Sequence, residues 1–395
     1  MNPGRSQLRG TGARGRGRRA TMCTFPGSVP TAARAALTLL TVLTPLAAQD
    51  PPLDAPDVAR LRALGTGAYP MQQQGLSPPT STDFAIAIRG LADEPAVTTL
   101  ACRALHTLFA QDFAKDLATA DRHRIGRAVV TAVTADDPDL ASAARIALRD
   151  LARLPRADDQ ASIASEDLRR LVIGAADQLE QGSLLQRRTA AQCMVDVAPT
   201  LDPPLRTWIL RGLLRGLEDV EPGPDATPEF HERQQTRRWM KTALATIPAP
   251  DAPLATEVVT ELLPEVAATG VNPFVFWSRG TVLSGLARQL PQLDGELRET
   301  VLAALLGNAT DPDNAYMPTS GRISPLRHAG LDALALALPA LNEDERARAK
   351  EARDQLRATA DAWTAEGAKD APLPPNLVDI SRMFDAFDAA WEASR

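Results

Sequence analysis

The chain has 395 residues and is mildly acidic, with 43 lysines and arginines against 49 aspartates and glutamates and a formal net charge of −6 at pH 7. The first 48 residues hold seven of the arginines and no acid, so the remainder carries 36 basic against 49 acidic side chains, a net charge of −13. Nucleic-acid binding needs clustered cations that neutralise phosphates, and this balance excludes nucleic acid as the expected partner.

Residues 1–48 have the pattern of a secretory signal. A glycine-rich basic run ends at Arg19, and the apolar core AALTLLTVLTPLAA follows at 35–48. This core is shorter than the roughly 20 residues that a membrane-spanning helix needs. We expect cleavage near Ala48 and export to the periplasm, the envelope or the exterior. A membrane association is expected only if the leader is not cut.

Residues 49–82 are rich in proline, glycine and glutamine, and their most polar part is GTGAYPMQQQGLSPPTST at 65–82. Clusters of such residues mark turns and loops. We therefore predict a lead-in over 49–82 whose part at 65–82 is an ordered loop or a linker, followed by the solenoid at 83–365.

Residues 125–154 show the pattern of a helix pair, because apolar residues recur at steps of three and four. The first stripe consists of Ile125, Val129, Val130 and Val133, and the second of Leu140, Ala144, Ala147, Leu148, Leu151 and Leu154. Asp137 and Pro138 end the first helix, and Asp139 is predicted to cap the second. A unit this small cannot bury both its faces, so we expect copies of it.

The sequence contains such copies. The clearest are RRTAAQCMVDVAPTL at 187–201, RGTVLSGLARQLPQL at 279–293 and RHAGLDALALALPAL at 327–341. With looser copies included, the leading arginine recurs at positions 103, 145, 187, 238, 279 and 327, with separations of 42, 42, 51, 41 and 48 residues. A period in the forties with two helices per unit is typical of an α-solenoid. We expect each arginine head to bind an acid or a carbonyl of a neighbouring repeat and lock the two together.

The stretch from about 95 to 341 resembles HEAT repeats, especially the short HEAT-like type also found in phycobilisome lyase-like proteins. Asp137-Pro138, Arg145 and the alanine- and leucine-rich spacing after it carry the resemblance. It implies an all-α fold, an α-α superhelix (HEAT-like solenoid) of about six helix pairs, and a binding surface. It does not imply a lyase, since no catalytic residue can be carried over.

The sequence contains none of the usual catalytic or metal-binding motifs. HExxH, CxxC, GxSxG and the phosphate loop are all missing. Residues 311–314 (DPDN) predict a plain turn rather than a calcium loop. His328 is expected at an exposed rim, and Cys102 and Cys193 are expected to be small buried residues without a disulfide. We predict no catalytic residue, no cofactor and no metal.

Two long connections and a group of aromatic residues are candidate partner-binding features. Residues 218–229 and 307–322 exceed the roughly two to eight residues that usually join paired helices. Tryptophan and arginine are enriched at binding hot spots. The candidate partner-binding residues are Phe274, Phe276, Trp277, Arg238, Trp239, Tyr316 and Met317. The alternative is that the loops are slack and that the aromatics, including Trp208 and Trp239, fill the core.

The C-terminal region is predicted to close the array. Residues 342–363, NEDERARAKEARDQLRATADAW, indicate a long charged helix, and 366–375 a proline-rich linker. Residues 376–395 then form an amphipathic helix whose apolar stripe is Leu377, Ile380, Phe384, Phe387 and Trp391. We expect this helix to cap the open apolar end of the solenoid. The alternative is a docking helix for another protein.

These patterns predict an exported, non-catalytic and monomeric scaffold or adaptor that binds a protein or peptide through a helical-repeat surface. One alternative is a lyase-like or hydrolytic enzyme, or an enzyme subunit, that uses polar residues on the concave face. The other is a membrane-anchored structural component of the envelope.

Overall fold

The computed structural model describes residues 53–155, 162–220, 228–267, 273–316, 327–370 and 380–394. Within these ranges the chain is all-α apart from one small pair of strands. The helices are α1 Ala55–Gly65, α2 Ala68–Gln73, α3 Asp83–Gly90, α4 Pro95–Phe109, α5 Thr119–Val133, α6 Pro138–Arg153, α7 Ser165–Gln181, α8 Leu184–Val197, α9 Pro203–Asp219, α10 Pro228–Thr246, α11 Ala252–Ala267, α12 Pro273–Gln289, α13 Gly295–Thr310, α14 Ala329–Ala337, α15 Glu343–Asp370 and α16 Asp385–Ala393. The strands, β1 Ala315–Tyr316 and β2 Arg327–His328, pair antiparallel.

The helices α3 to α14 form six consecutive pairs, in which each odd-numbered helix packs against the even-numbered helix that follows it. Odd-numbered helices stack on one another in one row, and even-numbered helices in a second row. The first row therefore consists of α3, α5, α7, α9, α11 and α13, and the second row of α4, α6, α8, α10, α12 and α14. This confirms the predicted superhelix of about six helix pairs, with a continuous core between the two rows.

The second row is the more tightly packed of the two. Most neighbours in this row share more extensive contacts than neighbours in the first row, with α7 and α9 as the exception. That exception has a local cause: a Cβ atom at Gly216 of α9 would lie 2.4 Å from the carbonyl oxygen of Leu179 in α7. Successive repeats are therefore held together mainly through the second row.

The repeated proline has one structural role in all three clear copies. Each second helix ends in a 3₁₀ turn that contains the proline, and the leucine two positions later is buried in the core. These turns are Ala198–Thr200, Leu290–Gln292 and Leu338–Ala340, and the leucines are Leu201, Leu293 and Leu341. The missing proline N–H is not needed at the start of such a turn, so the chain ends the helix and turns toward the next one without an unsatisfied donor.

Arginines lock successive repeats, but at a different position from the one that the sequence alignment indicated. The fourth residue of five helices is an arginine that donates to a carbonyl of the turn before its own helix; these residues are Arg122, Arg187, Arg206, Arg298 and Arg346. Two of them also reach beyond their own helix pair. Arg187 Nη1 donates to the Gly216 carbonyl of α9 at 3.0 Å, and Arg298 Nε donates to Glu345 Oε1 of α15 at 2.8 Å.

The predicted set of locking arginines is thus only partly right. Arg145 and Arg187 do bridge repeats, and Arg145 Nη1 lies 2.9 Å from Asp196 Oδ2. Arg103, in contrast, is exposed, and Arg327 pairs with Asp332 of the helix that directly follows it, at 3.0 Å. The two sets of arginines differ because the sequence copies are matched by their distance from the repeated proline. The arginines that lock the repeats instead share the fourth position of a helix.

The lead-in at 49–82 contains two helices, and the second of them lies within the loop predicted at 65–82. Helices α1 and α2 occupy this region, and α1 packs against α4, where Leu61 and Leu64 are fully buried. Asp54 caps α1 by accepting from Asp57 N at 2.9 Å. The spacing of Leu61 and Leu64 behind an N-cap was a helix signal that the surrounding proline and glutamine content obscured.

Several predicted boundaries also move. Asp137, not Asp139, caps α6, and it accepts from the N–H groups of Asp139 and Leu140. The predicted loop at 307–322 begins later, because α13 continues to Thr310, and the predicted loop at 218–229 is bounded by α9 and α10. The predicted linker at 366–375 overlaps α15, which runs to Asp370. Residues 1–48 lie outside the described part of the chain.

The C-terminal helix packs against its own chain and caps the array, as predicted. The long charged helix is α15, and α16 packs on α14, the last helix of the second row. Phe384 and Phe387 are buried, and Arg353 of α15 binds both carboxylate oxygens of Asp388 at 3.0 and 2.7 Å. The α-helix itself is shorter than predicted, since a 3₁₀ turn occupies Ile380–Met383 and Leu377 lies outside the described residues.

Candidate functional site

An open groove crosses three consecutive helices of the second row. It encloses about 390 Å³. Helix α6 contributes Pro138, Ser142 and Arg145, helix α8 contributes Leu185, Arg188, Thr189 and Gln192, and helix α10 contributes Gln235 and Trp239. Along each helix these residues recur at steps of three or four positions, with Thr189 beside Arg188 on α8, so each helix presents one stripe to the groove. We call this site the α6–α10 groove.

The two arginines of the α6–α10 groove have different partners. Arg145 binds Asp196, whose side chain is only 9 % exposed. Burial raises the pKa of the Asp196 carboxyl, and the attraction of Arg145 and Arg149 opposes that shift only in part. Arg188 instead donates from Nη1 to the Gln235 Oε1 at 3.0 Å and makes no ion pair with any described residue. Arg145 is therefore neutralised by a fixed acid, whereas no acid within the described ranges neutralises Arg188.

Apolar surface borders the Arg188 head. The Trp239 ring is partly buried and packs against the core, which holds it in place, while one side of it lines the groove. Leu185 is 37 % exposed, which is unusual for leucine in this chain. A fixed aromatic ring, an exposed leucine and a free guanidinium form a surface that can bind an apolar group and an anion side by side.

A second polar pair lies on the same row, toward the N-terminal end. His106 Nδ1 of α4 lies 2.6 Å from Asp150 Oδ2 of α6, and Arg149 binds the other oxygen of the same carboxylate at 3.0 Å. With an ionised Asp150, Nδ1–H is the donor, so Nε2 is the free ring nitrogen. The pair joins two neighbouring repeats through an exposed histidine and a half-buried aspartate.

The structure brings only some of the predicted partner-binding residues to this groove. Trp239 lines it, and Arg238 precedes Trp239 on α10 without lining it. Phe274, Phe276 and Trp277 lie on α12, and Tyr316 lies in β1, but their side chains fall outside the described part of the structure, as does the whole of Met317. Trp208, expected to fill the core, is 46 % exposed on α9, a correction to that interpretation.

Arg188, Leu185 and Gln192 were not predicted from the sequence. The signal that could have found them is the spacing 185, 188, 189 and 192 on α8, a polar stripe interrupted by one leucine. That stripe lies opposite the buried face formed by Ala190, Ala191, Cys193, Met194 and Val197. Aromatic content, on which the prediction relied, does not detect a site that contains one tryptophan.

His328 is a further correction, because it is buried rather than exposed at a rim. Its Nδ1 accepts from Leu331 N at 3.3 Å and so caps α14, while Nε2 lies 2.8 Å from the Asp311 carbonyl oxygen and donates to it. Burial lowers the pKa of His328, and the nearby Asp311 and Asp332 offset this only in part. His328 joins the connection after α13 to the start of α14.

Other predictions concern residues away from the groove. Cys102 and Cys193 are buried free thiols, as predicted, and burial raises the pKa of Cys102 to about 12. Residues Pro312–Asn314 form the predicted turn, and Asn314 Nδ2 donates to the Asn308 carbonyl at 2.9 Å. Among the described residues, no cluster of three histidine, cysteine or acidic side chains is suited to a metal ion. None of the described helices has the length and apolar character required to cross a membrane.

Comparison with known proteins adds no family to this description. No family model matches the chain, and no curated protein matches it. One solved structure that it is similar to is a crystal structure of an engineered protein from the Northeast Structural Genomics Consortium, with 15% sequence identity over 85% of this chain and 87% of that chain and a TM-score of 0.39. The description of the fold therefore rests on the packing of the helices themselves.

Proposed function

We propose that the protein is a non-catalytic scaffold of the HEAT-like type that binds a protein or peptide along its second row of helices. The observation that carries the proposal is the α6–α10 groove, which crosses three repeats and combines an unneutralised arginine with a fixed tryptophan. A surface formed by equivalent helices of successive repeats suits an extended ligand, since each repeat offers one set of contacts.

Two further features support this proposal. The side chains of the groove come from regular helices, and Arg145 and Arg187 hold successive repeats in register, so little order has to be created on binding. The cap formed by α16 covers the apolar end of the second row, which leaves the lateral face as the accessible surface. We also propose that the protein acts after export, as the leader pattern at 1–48 predicts.

Site-specific photocrosslinking tests the proposal. The photoreactive residue p-benzoyl-phenylalanine is introduced at Ser142, which is exposed and lines the groove, and in a matched variant at Arg211, which is exposed on α9 of the first row. After irradiation in the organism that produces the protein, we expect a discrete crosslinked partner from position 142 and not from 211. The purified partner must then bind the purified protein. Absence of a crosslink at 142, or equal crosslinks at both positions, would contradict the proposal.

A further inference from the structure

The two rows of helices differ in charge although the whole chain is acidic. The six second-row helices together contain twelve arginines and lysines against six aspartates and glutamates, whereas the six first-row helices contain ten against thirteen. The second row is therefore basic and the first row acidic. A ligand that carries negative charge is attracted to the second row and repelled by the first.

Half of these basic side chains are already paired with a carboxylate. The guanidinium or ammonium groups within ion-pair distance of an acid are those of Arg145, Arg149, Arg187, Arg233, Arg237 and Lys241. A nucleic acid needs a run of free cations along its phosphates, and these pairs interrupt such a run on α6, α8 and α10. A ligand with one or two carboxylates needs only an isolated free cation.

Arg188 is such a cation, and its surroundings specify what lies beside the carboxylate. The neutral amide of Gln235 holds the guanidinium in place at 3.0 Å without neutralising it. Trp239 and Leu185 border the same groove and offer apolar contact. The volume of about 390 Å³ lies within the range of roughly 300–1,000 Å³ that is typical of ligand sites.

We propose that the α6–α10 groove binds an acidic peptide segment in which an aspartate or glutamate stands next to a large apolar residue. The carboxylate binds Arg188 and displaces or joins the Gln235 amide, and the apolar side chain packs between Trp239 and Leu185. This inference rests on the proposed function and specifies the chemistry of the partner. The specificity resides in Arg188, because Arg145 is committed to Asp196 within the protein.

Peptide selection with the full chain tests this inference. A phage library of random dodecapeptides is selected on the immobilised wild-type protein, and the affinity of each enriched peptide is measured by fluorescence anisotropy. We expect enriched peptides to contain an acidic residue adjacent to leucine or an aromatic residue. Arg188→Gln should weaken their binding at least ten-fold, and replacing the acidic residue of the peptide by its amide should weaken binding to the same degree.

Arg211→Gln is the matched control, because Arg211 is an exposed first-row arginine, and it should leave the affinity unchanged. Circular dichroism and thermal unfolding of both variants exclude a folding defect. Enrichment of peptides without acids, or acidic peptides insensitive to Arg188→Gln, would overturn the inference and leave the proposed scaffold function intact. Failure to enrich any peptide would overturn the inference too, and the photocrosslink at Ser142 then decides the scaffold function separately. Tighter binding of a single-stranded oligonucleotide than of any peptide would overturn both.

Discussion

At the scale of single residues, Arg298 is the locking arginine that binds a carboxylate through two hydrogen bonds. Its Nε and Nη2 atoms donate to the two carboxylate oxygens of Glu345, both at 2.8 Å, and two backbone carbonyls accept from the same guanidinium. Glu345 is only 3 % exposed and also forms a reciprocal cap with Asn342 at the start of α15. Arg298 lowers the pKa of the Glu345 carboxyl, which is the expected effect of a charge-assisted bidentate pair.

We predict that Arg298→Ala lowers the free energy of unfolding by about 3 kcal/mol, because it leaves a buried carboxylate without its cation. Arg348→Ala is the control, since its pair with Glu299 is exposed, and it should cost less than about 1 kcal/mol. Urea unfolding followed by circular dichroism measures both. The double variant Arg298→Ala/Glu345→Ala should recover part of the loss. An equal loss of stability in Arg298→Ala and Arg348→Ala would contradict the argument that a buried pair is broken.

A pH-dependent loss of stability is predicted from His328. Burial lowers its pKa in the folded protein, so between that value and about 6.5, its usual value in an unfolded chain, the unfolded state binds more protons. The free energy of unfolding must therefore fall as the pH falls below about 6.5. A protonated Nδ1 also loses the ability to cap α14.

Urea unfolding midpoints at pH 7.5, 6.5 and 5.5 measure this effect. The control is His328→Asn, which retains a side-chain acceptor at the helix start but does not titrate. The wild-type protein should lose stability relative to this variant as the pH is lowered. If the two proteins respond to pH in parallel, protonation of His328 does not contribute.

At the scale of secondary-structure elements, close helix approach in the second row depends on Gly285. A Cβ atom at this position of α12 would lie 2.5 Å from the Ala245 Cβ of α10 and 2.6 Å from its Cα. The Cα and Cβ atoms of Ala245 are fixed by the backbone, so they cannot move unless α10 and α12 separate. Gly307 of α13, in contrast, is a helical glycine with no atom within 4 Å of the same position.

The two glycines therefore give opposite predictions for the same substitution. Gly307→Ala should raise the free energy of unfolding by about 0.5–1 kcal/mol, since alanine is the better helix former and the added methyl group meets nothing. Gly285→Ala should lower it by about 1–3 kcal/mol despite the same gain in helix propensity, because the methyl group overpacks the contact. Thermal unfolding of both variants measures whether each substitution raises or lowers the stability. Stabilisation by Gly285→Ala would show that α10 and α12 can separate freely.

The elements that could be predicted from the sequence are those with a local signal. The proline–leucine turns at 199–201, 291–293 and 339–341 and the stripes of α5 and α6 depend on residues a few positions apart, so their pattern is visible in one dimension. Helix α1 was missed because composition outweighed its two leucines. The close approach at Gly285 could not be predicted, since it depends on a residue forty positions away in another repeat.

At the scale of the whole molecule, the candidate site was predicted less well than the fold for the same reason. The α6–α10 groove combines stripes from residues 138–145, 185–192 and 235–239, and no one of them is distinctive alone. The charge difference between the two rows becomes apparent only when helices are assigned to rows, because it cancels along the sequence. Trp239 was predicted as a candidate from its residue type, whereas Arg188 could be identified only from the packing of the helices.

The repeat architecture predicts how far the effect of a destabilising substitution extends along the chain. In a solenoid each repeat contacts only its neighbours, so a local loss of packing should remain local. Phe384 is fully buried beneath the guanidinium groups of Arg353 and Arg357, whose carbons lie 5.2 and 4.8 Å from the centre of its ring. Phe384→Ala should cost roughly 3–5 kcal/mol at the cap and open the second row at its C-terminal end.

Hydrogen–deuterium exchange measured by mass spectrometry checks this prediction. In Phe384→Ala, amides of α14 and α15 should lose protection, while those of α4 to α6 should exchange as in the wild-type protein, because the three helix pairs from α7 to α12 lie between the two regions. Leu148→Ala, at a fully buried position of α6, should reverse the pattern. If either substitution instead lowers protection evenly from α3 to α15, the whole chain unfolds as one cooperative unit. The α16 cap would then stabilise the α6–α10 groove, even though the cap lies at the C-terminal end of the second row.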